Sequence, residues 1–343
     1  MTHDMTRYLT ALLLGVLSFT THAQDSCQVA LVKATESFDR GEYAQVISLL
    51  ERRLGDCDFN RDAMLQAMKL LAASYDELDE AELAEATTRR FIRQNPVYTV
   101  QGIDPQAFAT TFSKFDVKPR FSAGLNIGTG KTLVHVMKQY EVWDAAGYHS
   151  AYSTSYHVSG NASLQWHVTR AISLCAEIGF SMLNYEHDIS YGNTYSLNYS
   201  ENLVEFKTPL YVNYNFHIHK KLWVGLTSGA YAYTYAIISS TLKYTYDGNT
   251  AKENSDEVAG RRSYGMGLVE GLKLSYRMNP VTVSLESRHN INMTVLNKPG
   301  ERYADPSTVA NQLHVNDDLR LSTVELLLGV SYTFSYRIRH KYH

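Results

Sequence analysis

Val204-Glu205-Phe206-Lys207-Thr208-Pro209-Leu210-Tyr211-Val212-Asn213-Tyr214-Asn215-Phe216-His217-Ile218 alternates apolar and polar residues over fifteen positions. Val204, Phe206, Leu210, Val212, Tyr214, Phe216 and Ile218 share one parity, interrupted only by Thr208. Glu205, Lys207, Tyr211, Asn213, Asn215 and His217 hold the other. Successive side chains of a strand point to opposite faces, so this segment is a strand with one apolar and one polar face. In a soluble sheet the apolar face is a core. In a membrane barrel it meets lipid, and the polar face lines the interior. The rest of the chain chooses between the two.

Similar alternation recurs from Phe121 to Phe334. The first strand starts at Arg120, with Phe121, Ala123, Leu125 and Ile127 on one side. A second covers Tyr152 to Val168, and a third from Ala171 sets Ile172, Leu174, Ala176, Ile178, Phe180 and Met182 apart from polar neighbours. A fifth, from Leu222, is ambiguous, because Tyr231, Tyr233 and Tyr235 oppose small residues. In the sixth, Glu270 breaks the parity of Tyr264, Met266, Leu268, Leu272 and Leu274, and a β-bulge would restore it. A seventh spans Val281 to Val295, and an eighth holds Val324, Leu326, Leu328, Val330, Tyr332 and Phe334. Short links at Thr169-Arg170, His219-Lys220-Lys221 and Arg277-Met278-Asn279-Pro280 alternate with long polar ones near 138–151, 186–202, 244–261 and 296–319. Outer-membrane barrels have this asymmetry, with short turns facing the periplasm. The expected fold is an all-β transmembrane barrel of about eight antiparallel strands over 120–335, followed by a basic periplasmic tail, 336–343.

The beginning of the chain agrees with export. Arg7 precedes an apolar run from Leu9 to Phe19, and Thr21-His22-Ala23 offers a small-residue cleavage site, so residues 1–23 read as a signal peptide. No later run approaches the ~20 apolar residues of a spanning helix. Mean hydropathy of -0.27 would describe a soluble protein, but half of every barrel strand is polar. The 25 tyrosines are of a type that edges membrane interfaces. A net charge of -3 argues neither for nor against nucleic acid, and none is expected as a partner.

Residues 24–96 are patterned as helices. Ala34, Phe38, Gly41, Tyr43, Val46 and Leu50, then Met68, Leu71, Ala72, Tyr75 and the closing Asn95-Pro96, place small and aromatic residues around helical turns. This module resembles the tetratricopeptide repeat, although a pair of helical hairpins without that ancestry has the same pattern. Cys27 and Cys57 bracket the first hairpin and are expected to form a disulfide, worth about 3–4 kcal/mol by loop closure. Cys175 is left over on a polar strand face. Residues 97–119 form a linker with a short helix, in which Asp104 is the expected N-cap and Pro105 the first helical residue. Phe108, Phe112 and Phe115 fall at i, i+4 and i+7 and form a stripe for docking.

Two segments carry a family resemblance. Leu328-Gly329-Val330-Ser331-Tyr332-Thr333-Phe334 resembles the C-terminal signal read by the barrel assembly machinery, with Tyr332 and Phe334 as its aromatic end, although nine residues follow it. Phe206-Lys207-Thr208-Pro209-Leu210-Tyr211-Val212-Asn213-Tyr214 is similar to the fourth-strand motif of the small outer-membrane β-barrel family of Bacteroidota, of PorT-like type. The resemblance covers about 120–335. It implies an outer-membrane barrel and permits a part in secretion or surface assembly, while an even strand number places both barrel ends, and with them the helical domain, in the periplasm.

Sharper chemical signals fail. Gly128-Thr129-Gly130-Lys131-Thr132 lacks the first glycine of a phosphate loop at the required spacing. His217 and His219 beside Lys220 and Lys221 read as a solvated turn, and Glu186-His187-Asp188 lacks a third partner. No metal or cofactor is expected. A lipid-modifying enzyme needs a Ser or His with a carboxylate at the outer rim, and only His135, His187 and His289 come near. Strand parity places Glu177, Glu205, Lys207, Lys273, Glu286, Arg288 and Glu325 inside the barrel. Opposite signs there must pair, because isolated buried charge is costly. The expectation is a non-enzymatic scaffold in outer-membrane lipid whose helical module holds another envelope protein. A narrow channel or, further off, a barrel-embedded lipid-modifying enzyme are the alternatives.

Overall fold

A computed structural model describes residues 19–140, 147–192, 195–219, 221–255, 260–298, 300 and 314–341. The signal-peptide reading falls mostly on residues 1–18, outside this set. The chain divides into two compact units, Met1–Lys118 with Tyr336–His343, and Pro119–Ser335.

The first unit is built from six helices: α1 (Phe19–Asp39), α2 (Tyr43–Leu50), α3 (Arg53–Asp56), α4 (Arg61–Glu77), α5 (Ala81–Gln94) and α6 (Gln106–Ser113). The Asn60 side chain caps α4 by accepting from Ala63 N at 2.8 Å. Ala63, Ala67, Leu70, Leu71 and Ser74 recur on one buried stripe of α4, so this helix carries the core. Gly41, at φ +77°, ends the first helical hairpin's opening arm where a side chain would be strained. Cys27 and Cys57 are joined by a disulfide.

Two expectations about the linker need correction. Asp104 does not cap α6; its carboxylate accepts from Lys69 Nζ at 2.7 Å, Tyr98 Oη at 2.6 Å and Gln101 N at 2.7 Å. The Phe108, Phe112 and Phe115 stripe is not a free docking surface. Phe108 and Phe115 are buried, and Phe91 meets Tyr98, Phe108 and Phe112 edge-on at 5.0–6.3 Å. Phe115 belongs to the first strand, not to the helix. Within the expected basic tail, the last strand continues to His340. Ile338 packs on the helical core, and Lys341 N donates to Lys114 O at 2.7 Å.

The described residues hold ten strands: β1 (Phe115–Lys138), β2 (Tyr148–Thr154), β3 (Tyr156–His167), β4 (Ile172–Tyr191), β5 (Tyr195–His219), β6 (Leu222–Tyr246), β7 (Asn249–Ser255), β8 (Tyr264–Met278), β9 (Val281–Asn292) and β10 (Asp318–His340). Antiparallel pairing runs β4–β3–β1–β10–β9–β8–β6–β5 and returns from β5 to β4, closing a ring. The count exceeds the expected eight because β2 continues the β3 side of β4 and β7 continues the β8 side of β6, each beyond a break in the strand. The long links also hold more strand than expected. The 186–202 link is mostly strand, and Asp247-Gly248, both at positive φ, make the tight turn that launches β7.

The barrel is inside-out. Leu125, Ile178, Leu210 and Leu328 face outward and are 56–69% exposed, whereas Glu177, Glu205, Lys207 and Arg288 face inward and are at most 4% exposed. On β4 the outward apolar set ends at Met182, and from Leu183 onward the apolar residues Leu183, Tyr185 and Ile189 turn inward. On β5 the same exchange falls between Leu203 and Val204. Where the surroundings are lipid the apolar face points out; beyond that band they are water and it points in. The eleven residues Ile172–Met182 cover about 33 Å of strand at 3.3 Å per residue, or about 25 Å of height at a tilt near 40°. That is the thickness of a membrane-barrel apolar band, and the barrel spans a membrane. Among the described residues no helix is long and apolar enough to do so.

Register settles the ambiguous strands. Tyr231, Tyr233 and Tyr235 of β6 point inward, and the small residues between them face out. No bulge stands beside Glu270. It pairs in register with Ser228 and His289 and faces outward among Leu268 and Leu272. Register shifts lie instead between β5 and β6, at Val204/Glu205 and at His217/His219.

Candidate functional site: ion pairs across the bore

All seven interior charges expected from parity are buried. The ring brings together residues that strand order keeps far apart. Arg288 on β9 grips Glu177 on β4 with Nη1–Oε2 at 2.6 Å and Nη2–Oε1 at 3.1 Å. Arg288 Nε also reaches Glu286 Oε1 at 3.0 Å, Lys273 Nζ lies 3.6 Å from Glu286 Oε2, and Tyr211 Oη donates to Glu177 Oε1 at 2.6 Å. Lys207 on β5 meets Glu325 on β10 at 2.7 Å, where Ser181 Oγ donates at 3.0 Å and His157 Nε2 lies at 3.5 Å. Glu205 is served by Asn292 Nδ2 at 3.4 Å.

The two principal pairs span the bore. Around the ring, β4 and β9 lie four strands apart in either direction, and so do β5 and β10. The side chains of Lys207, Glu325, Arg288 and Glu177 have no exposed surface. An eight-stranded ring is only wide enough for side chains to fill, and these side chains fill it. The Arg288–Glu177 contact is bidentate, the strongest geometry for such a pair.

A third charged layer was not evident from parity. Arg261, just before β8, holds Glu201 of β5 at 2.5 Å and also contacts Tyr185, Asn297 and Asn316. Arg261 sits in a segment that reads as loop, so alternation assigns it no side. Its signal was compositional: a lone Glu201 on an inward position needed a cation.

Near the short turns the bore ends in a polar mouth. Ser122 Oγ lies 2.8 Å from His167 Nε2 and 2.9 Å from Thr333 Oγ1, and Arg277 stacks on Trp223 at 3.9 Å. His135 contacts Ser322 Oγ at 2.7 Å and His187 contacts Ser150 Oγ at 2.8 Å, but the other ring nitrogen of His187 faces His314 at 3.2 Å, not a carboxylate. His289 stands opposite Glu270 in strand register on the outer wall, with Ser228 opposite Glu270 on its other side. Among the described residues, none of these three histidines is hydrogen-bonded to both a serine and a carboxylate. Cys175 is buried, and among the described residues no cluster of three metal-ligating side chains occurs. Tyr332 and Phe334 face outward at the short-turn edge, and Phe334 stacks on Phe121 at 6.4 Å.

No family model matches the chain, and no curated protein matches it. Among solved structures it is similar to Ail, the attachment invasion locus protein of Yersinia pestis, at 10% identity over 62% of this chain and 99% of that one, with a TM-score of 0.25. It is similar to the outer membrane protein OprG from Pseudomonas aeruginosa at 11% identity over 65% and 97%, with a TM-score of 0.33. The translocator domain of the autotransporter NalP from Neisseria meningitidis matches at 12% identity over 77% and 99%, with a TM-score of 0.26. Similarities this distant carry no conclusion about activity.

Proposed function

We propose that this chain is an outer-membrane anchor, a barrel closed by its own ion pairs that holds a periplasmic helical module for binding another envelope protein. The observation that supports it most is the pair of buried contacts, Lys207–Glu325 and Arg288–Glu177, each joining opposite walls of the bore. A conducting pore needs a continuous water path, and fully desolvated ion pairs across the diameter oppose one. The inside-out barrel and an exported disulfide favour the outer membrane over any other bilayer. The helical unit has its own core, and its helical hairpins favour the tetratricopeptide-like reading, a repeat type whose concave surfaces bind protein segments. With Phe108 and Phe115 buried, any partner must meet other surfaces of that unit, and secretion or surface assembly is the setting that the PorT-like resemblance favours.

In planar bilayers the purified protein shows no steady conductance under this reading. Stable currents whose ion selectivity changes on Lys207→Glu would establish a channel in its place. Deleting residues 26–95 behind the signal peptide leaves insertion intact but removes co-purifying envelope proteins. If the same proteins come down with the barrel alone, the module is not the adaptor.

A further inference from the structure

The short-turn end of the barrel is dominated by cations, and the acid at the start of β1, Asp116, is paired with Lys118 at 2.5 Å. Residues 145–176, 206–246 and 271–285, which include the three short turns, contain no Asp or Glu, nor do 117–140 and 326–343 on the two sides of the β1–β10 seam. At the rim itself Arg120, Arg170 and Lys221 are exposed, as are His217 and His219. Arg277 is partly buried against Trp223 and belongs to the mouth.

Lipid-facing aromatic rings border these cations. Trp166, Tyr214, Phe216, Tyr276, Tyr332 and Phe334 are outward and 43–55% exposed, each near the short-turn end of its strand. Aromatic belts of this kind sit at the level of lipid headgroups. Arg170 follows Trp166 by four residues and Lys221 follows Phe216 by five, and the Arg120 guanidinium lies 5.2 Å over the ring of Phe121. At about 3.3 Å per residue, each cation lies within roughly 17 Å of chain from a lipid-facing ring.

Resting on the membrane-barrel reading above, we propose that this collar binds the phosphate groups of anionic phospholipids in the leaflet at the short-turn end. The cations come from three separate chain segments that share only their place beside the aromatic edge, so the surface they complement is the membrane. Arginine offers phosphate a planar two-pronged donor, and Asp116, the acid nearest to Arg120 in sequence, already has Lys118 as its counter-charge. Basic residues close to an anionic bilayer surface attract it additively.

Trp166 reports on the collar directly. Of the three tryptophans, Trp143 and Trp223 are replaced by Phe in the full-length protein. The protein is then reconstituted into phosphatidylcholine vesicles containing a minor fraction of dibrominated phosphatidylglycerol or of dibrominated phosphatidylcholine. At low salt the brominated phosphatidylglycerol quenches Trp166 more strongly at equal mole fraction. Its relative association falls by about fivefold for each cation removed in Arg120→Gln, Arg170→Gln and Lys221→Gln. Equal quenching by the two lipids overturns the proposal, as does a preference unchanged in a triple variant that keeps a heat-dependent gel shift. If that variant does not fold, a salt titration of the parent decides: a preference that survives near 1 M salt, where screening reaches about 3 Å, is not electrostatic and refutes the collar. Quenching by neither lipid, with no gel shift, instead removes the membrane barrel and the proposal with it.

Discussion

Replacing Lys207 by Met strands a carboxylate in the middle of the bore. Glu325 then loses the ammonium at 2.7 Å, in a place where neither side chain has exposed surface. Removing one partner of a buried pair costs about 3–5 kcal/mol, because the charge left behind is uncompensated. Glu325 keeps Ser181 Oγ at 3.0 Å and His157 Nε2 at 3.5 Å, which places the loss toward the lower bound, about 3 kcal/mol. Removing both charges in Lys207→Met with Glu325→Leu leaves no ion to desolvate. The remaining cost is the unserved Ser181 hydroxyl, about 1 kcal/mol. The double variant is therefore more stable than the single one, with a coupling of about 2 kcal/mol or more. Guanidinium unfolding of the protein in lipid vesicles, followed by tryptophan fluorescence and by the gel shift, measures each corner of the cycle. Additive losses, or a Lys207→Met cost below about 1 kcal/mol, would show that the two walls are not joined through this pair.

On the outer wall, Leu328→Arg costs roughly 2–4 kcal/mol near the midplane, while Glu270→Leu stabilises by removing a carboxylate from the lipid face; a destabilised Glu270→Leu in the same assay means that Glu270 has a partner there. A Cβ at Gly128 meets the backbone oxygen of Leu326 on β10, so Gly128→Ala forces the β1–β10 seam apart and lowers stability by about 1–3 kcal/mol, and an unchanged midpoint contradicts that close approach. In the helical unit, burial raises the Asp104 carboxyl, but the Gln101 N–H, the Lys69 ammonium and the Tyr98 hydroxyl outweigh it and hold it below the usual carboxylate range. Its stabilisation is present above about pH 4 and is lost as pH falls through the depressed value. Amide exchange in α4 and α5 of the full-length protein accelerates over that interval, and Asp104→Asn abolishes the acid step; exchange independent of pH there, after correction for its intrinsic rate, refutes it.

The strands from Val204, Leu326 and Ile172 were legible because period-two alternation is local: each residue's side follows from its neighbours alone. The same rule assigned all seven interior charges, from Glu177 to Glu325. It misled where the surroundings change along one strand. Beyond Met182 and before Val204 the outside is water, so apolar residues exchange faces and a strand reads as polar loop. It also misled at Glu270, where a charge on the outer face looked like a bulge. The aromatic stripe of Phe108, Phe112 and Phe115 was correctly periodic, but periodicity does not say what covers a face, and here Phe91 and Tyr98 do.

Sequence by itself determined that this is a barrel with a helical domain before it, and which charges face inward, because both follow from the order of side chains along a chain. Which charges meet was decided only by closure. Lys207 and Glu325 are separated by 118 positions, and Arg288 and Glu177 by 111, and nothing in their local sequence relates them. Closing the ring sets β5 opposite β10 and β4 opposite β9, at a diameter that two long side chains can bridge. Arg261 joined Glu201 for the same reason: a residue from an irregular segment has no parity, and its side is chosen by the buried acid that it neutralises.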